Sequence, residues 1–152
     1  MKPAYSRLVI GSWACYDFAN SPFITLVLTF VYATYFTQMI ASDPITGTVL
    51  WSRAIALSAL IVAVFSPIFG ALSDRLGYRK IWLMFFTVMC AAATAGLYGI
   101  LPGQVIAALI LVVIANTSYE FSMVFYNAFL PDIVPMERIG RVSGYGWGLG
   151  YL

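Results

Sequence analysis

The chain has 152 residues, of which 62% are hydrophobic and only 9% charged, with eight basic residues, six acidic residues and no histidine. An ordinary soluble domain carries about 25% charged residues, and the mean hydropathy here is +0.90. That balance excludes a conventional soluble enzyme, a disordered linker and a nucleic-acid binder, because a net charge of +2 gives no basic patch. The class that remains is an all-α, polytopic membrane helix bundle whose outer face is solvated by lipid.

A bilayer core about 30 Å thick needs around 20 apolar residues in helical form. Four stretches are long enough, at about 8–40, 52–72, 81–101 and 105–130. The first is the longest and the most polar, holding Asp17, Asn20, Ser21 and Pro22. Lys2 and Arg7 imitate the start of a cleaved leader, but the apolar segment is too long for one, carries a carboxylate and lacks a small-residue cleavage site. The connections are short, with ASDPITGTVL over 41–50, a charged turn over 73–80, Pro102–Gln104 and a proline-broken stretch over 131–141. Neighbouring helices must therefore run antiparallel. A fifth apolar segment starts at about 142 and ends with the sequence at Leu152, half a span in length. The expectation is an N-terminal fragment of a longer carrier, with a four-helix scaffold or assembly subunit as the alternative.

Cytoplasmic loops are enriched in Lys and Arg. With the N-terminus in the cytoplasm, Lys2, Arg7, Arg75, Arg79, Lys80, Arg138 and Arg141 all fall on that side, and only Arg53, beside Trp51, falls on the other. The two cysteines, Cys15 and Cys90, read as small buried hydrophobes.

Ionisable groups inside a membrane are expensive and call for a functional reading. Asp17 and Glu120 sit at similar depth, each about 14–15 Å into its span at 1.5 Å per residue. Asn20 follows Asp17 by three residues. Asn116 precedes Glu120 by four, and Asn127 follows it by seven. Those spacings place each set on one helix face. They predict a polar cavity between the first and fourth spans, bordered by Asp17, Asn20, Asn116, Glu120 and Asn127. The competing reading is that such groups only join helices. Pro22 cannot donate a backbone hydrogen bond and frees a carbonyl near Phe18. Without histidine, a paired-acid motif or a ligand cluster, the sequence predicts no metal, no cofactor and no enzymatic activity. The alternating Gly144, Gly146, Gly148 and Gly150 follow no strand and read as a small-residue helix-packing face rather than a phosphate loop. Asp132, Glu137, Arg138 and Arg141 read as a solvated loop able to dock on the other charged loop.

The turn after the second span runs Gly70-Ala71-Leu72-Ser73-Asp74-Arg75-Leu76-Gly77-Tyr78-Arg79-Lys80. On physical grounds it is a basic loop with a tight turn at Gly77, preceded by a Gly70 that permits close helix contact. It also resembles the G-x-L-x-D-R-x-G-x-R-K signature of the major facilitator superfamily of secondary transporters. Tyr78 stands where that family often has another basic residue. Within the superfamily, Ser12-Trp13-Ala14-Cys15-Tyr16-Asp17-Phe18-Ala19-Asn20-Ser21 resembles the branch of vacuolar amino-acid effluxers of autophagy and their bacterial relatives. Tyr126-Asn127-Ala128-Phe129-Leu130-Pro131-Asp132, with Arg141-Val142-Ser143-Gly144, resembles the same branch.

The resemblance implies a twelve-helix fold in two halves, working by alternating access, with the first and fourth helices lining a central cavity. It implies a small-molecule solute, amino acids or similar metabolites, and a conformational latch formed by Gly70, Asp74, Arg75, Gly77, Arg79 and Lys80. The partners implied are the lipid bilayer, the solute and the C-terminal half of the same transporter. A cell (inner) membrane is favoured over a vacuolar one.

Overall fold

The computed structural model describes residues 7–150, apart from the side chains of residues 73–76. Expectations resting on Lys2, or on the side chains of Asp74 and Arg75, lie outside the described residues. Among these the structure is helical throughout with no strand, and four helices are long and apolar enough to cross a membrane: Arg7–Ile40, Pro44–Leu72, Arg79–Leu97 and Val105–Ile133.

The first span opens as α1 (Arg7–Pro22) and changes register at its proline. Near its end the Ser21 hydroxyl donates to the Asp17 carbonyl four residues back at 2.9 Å. Beyond Pro22 the wider π-helical winding takes over at Phe23–Phe30, and the Val31 backbone N–H donates to the Leu26 carbonyl, five residues back. A short α2 (Val31–Tyr35) and a second π turn (Phe36–Ile40) complete the span. Proline removes one rung of the ladder, and the wider turn re-pairs the backbone without exposing it to lipid.

The second span belongs to α3 (Pro44–Leu76), which begins eight residues earlier than hydropathy predicts. Asp43 causes the shift. Its carboxylate accepts the Thr46 backbone N–H at 2.9 Å, and Pro44 supplies a preset φ at the first helical position. The connection from the first span is therefore Ala41–Asp43, not ten residues. Gly77 at φ +69° closes the next turn, as its position in the sequence predicts. The third span is α4 (Arg79–Leu97). It ends four residues short of the expected 101, where the Tyr98 and Gly99 amides make three-residue turns ahead of Pro102. Gly103, at φ +86°, donates to the Ile40 carbonyl and pins this loop to the end of the first span. The fourth span, α5 (Val105–Ala128), is followed by α6 (Leu130–Ile133), a 3-10 turn (Met136–Arg138) and α7 (Ile139–Gly150). The predicted loop over 131–141 is thus largely helical.

The fourth span is the centre of the bundle, with ten buried residues. It packs most closely on α4 and then on α3, while α1 packs on α7. Over α1 the first span meets α5 mainly through large side chains, whereas its last turn, Phe36–Ile40, approaches the backbone of α5. At one end Trp13, Tyr126, Leu130 and Val134 cluster. Phe23, Cys90, Ala93, Ala115 and Tyr119 fill the middle, and Phe36, Ile40, Ile100 and Ala108 the other end. Cys90 is buried as expected, whereas Cys15 is exposed, because it lies on the outer flank of α1 away from Trp13. The outer surface shows many large apolar side chains, such as Leu60, Val64, Val88 and Ile106, the composition of a lipid-facing belt.

The four alternating glycines split into two kinds. A Cβ on Gly146 would lie 2.6 Å from the Trp13 ring, and one on Gly150 2.6 Å from the Ser21 hydroxyl. Gly144 and Gly148 face open space. Only the pair four residues apart forms the packing face against α1.

Candidate functional site

The end of the bundle nearest the N-terminus is organised by three aromatic rings. Trp13 stacks on Tyr126 with centroids 4.4 Å apart, and Tyr16 stacks on the other face of Tyr126 at 5.0 Å. The Trp13 indole donates to the Tyr126 carbonyl at 3.2 Å, and the Tyr126 hydroxyl returns a bond to the Trp13 carbonyl at 3.0 Å. Tyr16 reaches the Thr87 hydroxyl on α4 at 2.6 Å. These contacts join the first, third and fourth spans, and they join the two motifs quoted above. Sequence reasoning gave no individual role to Trp13, Tyr16 or Tyr126 beyond their places in the two motifs. The available signal was their presence there.

Further along, Phe23 stacks on Tyr119 at 5.1 Å. The stacks at Trp13–Tyr126 and Phe23–Tyr119 fix an antiparallel register that sets Asp17 opposite Met123. Asp17 and Glu120 are then about 5 Å apart in depth at 1.5 Å per residue. Both carboxylates are half-buried. Neither has a hydrogen bond or an ion pair among the described residues. Asp17 also faces α7, with Oδ2 3.7 Å from where a Cβ on Gly150 would stand.

The three asparagines go to three different places. Asn20 donates to the Tyr16 carbonyl at 3.0 Å and lines a groove of about 640 Å³ between the first and third spans, with Thr87, Cys90 and Thr94. Asn116 is 5% exposed and donates to Ser58 on α3 at 2.6 Å, leaving its Oδ1 without a donor. Asn127 is exposed, beyond Glu120 on the same flank of α5. Of the five predicted cavity residues, the structure leaves Asp17 and Glu120 half-buried and without hydrogen-bond partners among the described residues. It turns Asn20 toward α4 and Asn116 toward α3.

In the charged turn, Arg79 donates to the Ala128 carbonyl at 3.2 Å and pairs with Asp132 at 2.5 Å. The two charged loops are therefore docked on each other. Lys80 is exposed. Among the described residues a Cβ on Gly70 would meet nothing within 4 Å, so the close helix contact expected there is not made within them. No group of three or more Cys, Asp or Glu among the described residues is arranged to hold a metal ion.

Comparison with known proteins identifies a family and three relatives. Residues 45–143 match the family described as vacuole effluxer Atg22 like. The chain is 33% identical over 145 residues to the uncharacterized MFS-type transporter YxiO of Bacillus subtilis, covering 93% of this chain and 34% of that protein. It is 35% identical over 90 residues to autophagy-related protein 22 of Coccidioides immitis, covering 59% of this chain and 15% of that one. A third relative, autophagy-related protein 22-1 of Aspergillus fumigatus, is 30% identical over 79 residues, covering 52% of this chain and 13% of that one. The chain thus spans about a third of the bacterial relative and a smaller share of the fungal ones. No solved structure matches it.

Proposed function

The chain belongs to the Atg22-like vacuole effluxer branch of the major facilitator superfamily, and on that premise we propose that it forms the cavity-lining first helices of a secondary transporter for a small solute. The observation that carries this reading is the pair of half-buried carboxylates, Asp17 on the first span and Glu120 on the fourth, neither with a hydrogen-bond or ion-pair partner among the described residues. Leaving two acids unpaired at membrane depth is costly unless water or a ligand reaches them. A scaffold made only to hold helices together would pair them, as Asn116 and Ser58 are paired.

The solute in this proposal is an amino acid. Its ammonium group would find two acceptor-only carboxylates at Asp17 and Glu120, and Tyr119 and Asn127 offer hydroxyl and amide groups nearby on the same helix. Access alternates as the complementary half of the carrier closes over this face, and the Gly77–Lys80 turn, docked through Arg79, latches the bundle on the cytoplasmic side. The protein sits in a cell (inner) membrane with its N-terminus in the cytoplasm.

The test is efflux of a labelled amino-acid mixture from vesicles holding the full-length protein. Asp17→Asn and Glu120→Gln should each lower the rate at least tenfold, a loss of about 1.4 kcal/mol or more of binding to the moving state. Parental rates in both variants would remove the acids from the mechanism.

A further inference from the structure

Among the described residues, Arg53 is the one basic residue at the opposite end of the bundle from the charged loops. It lies on α3 two residues after Trp51, whose ring sits 5.4 Å from Phe36 and 6.3 Å from Tyr32. With the fully exposed Tyr98, these rings mark the level at which aromatic side chains meet a membrane interface. Arg53 is exposed and has no hydrogen-bond or ion-pair partner among the described residues.

Directly beside it runs a groove of about 340 Å³ between α3 and α5, walled by Leu50, Leu57, Ile110, Val113 and Ile114, with Arg53 as its only charged lining residue. From Ile106 to Ile114 it is about 12 Å long at 1.5 Å per residue. Its walls stand on the flank of α5 opposite Ala108 and Ala115, which pack toward the first and third spans. The groove is therefore separate from the face that carries Asp17.

A guanidinium at the edge of the hydrocarbon needs an acceptor, and the protein supplies none among the described residues. In a bilayer the acceptor at that level is the phosphate of a lipid headgroup, whose geometry matches the guanidinium fork. We propose that this groove is a phospholipid site, in which the phosphate pairs with Arg53 and one acyl chain lies along Leu57, Ile110 and Val113. The charge match favours a net-anionic headgroup such as phosphatidylglycerol, because it has no ammonium of its own to compete for the phosphate.

The full-length protein, purified in detergent and incubated with equimolar phosphatidylglycerol and diacylglycerol, is examined by native mass spectrometry. The parent should retain one phosphatidylglycerol and prefer it to the phosphate-free lipid by roughly tenfold, the size of one charge-assisted pair. Arg53→Gln should erase that preference, and Leu57→Trp, which fills the groove, should abolish retention. Added inorganic phosphate should leave the bound lipid in place. The proposal is overturned by equal retention of the two lipids in the parent, by unchanged retention in both variants, by displacement with free phosphate, or by a dimer that Leu57→Trp dissolves. The preference of the parent requires no variant to fold.

Discussion

Replacing Gly146 with alanine probes the contact that holds α7 on α1. The new methyl would stand 2.6 Å from Cζ3 and 3.2 Å from Cη2 of Trp13. Trp13 cannot simply swing aside. Its indole N–H is held by the Tyr126 carbonyl at 3.2 Å, and its ring lies flat on Tyr126 with planes 10° apart. Overpacking of a fixed ring costs about 1–3 kcal/mol, and giving up the indole hydrogen bond costs about 1 more. Against this, alanine gains about 1 kcal/mol of helix propensity over glycine. The net expectation is a loss of about 1–3 kcal/mol. Gly148 is the internal control: it faces open space, so alanine there keeps the propensity gain of up to about 1 kcal/mol and meets no clash. Thermal unfolding of the two variants in one detergent should thus differ by about 2–4 kcal/mol, with Gly146→Ala the weaker. Trp13→Leu in the Gly146→Ala background should recover part of the loss, because it removes the atoms that clash. Equal stability of Gly146→Ala and Gly148→Ala would mean that Trp13 does not sit on α7.

Two further tests address polar groups away from the acids. Ser58→Ala removes the acceptor of the Asn116 amide, whose Oδ1 already lacks a donor. It should cost about 1–3 kcal/mol, and adding Asn116→Leu should return part of that loss in the same unfolding assay; a double variant no better than Ser58→Ala would refute the pairing. At the start of α3, the Thr46 backbone N–H, with its side chain and Ser42 adding to the effect, holds the Asp43 carboxyl below the ordinary carboxylate value of 3.8. Since the folded value is the lower one, the stabilisation is complete above the unfolded value and disappears as pH falls through the folded one. Protection of the Thr46 amide, its exchange relative to an unstructured amide at the same pH, should therefore fall below about pH 4 in the parent and lose this pH dependence in Asp43→Asn, which still caps. An unchanged acid dependence in Asp43→Asn would assign the effect elsewhere.

The number of spans was legible because each needs about 20 apolar residues and nothing else in the chain supplies them. The turn at Gly77 was legible because its residue type and place between helices agree. The start of α3 was not, since hydropathy is blind to Ser42-Asp43-Pro44, a capping signal written in polar residues. The π winding was not either: Pro22 announces a break, but the repair depends on how the backbone re-pairs over Phe23–Phe30. At the candidate site, spacing placed Asn20 on the same flank as Asp17. Three residues turn a helix by roughly 300°, and the remaining 60° is enough to send Asn20 into the groove beside α4 while Asp17 faces α7. Periodicity gives a residue's angle on its own helix; the neighbour at that angle comes only from the fold.

The central position of the fourth span explains why its polar residues differ in fate. Most of α5 is pressed against other helices, so its polar side chains are largely buried whether or not they are useful, the exposed Asn127 in its last turn excepted. Asn116 and Ser122 meet that constraint locally, by bonding Ser58 on α3 and the Tyr119 carbonyl of their own helix. Glu120 lies one turn from Asn116 and could have been satisfied by any hydroxyl on α3, yet it has no such partner among the described residues. A carboxylate exchanged for leucine at this position would relieve a desolvation cost that, for a charged group in a membrane, is about 2.5–3.5 kcal/mol on insertion scales. A chain selected only for stability would keep the leucine. Glu120→Leu should therefore raise the unfolding temperature of the full-length protein while abolishing efflux, and a variant that lost both together would make Glu120 a structural residue.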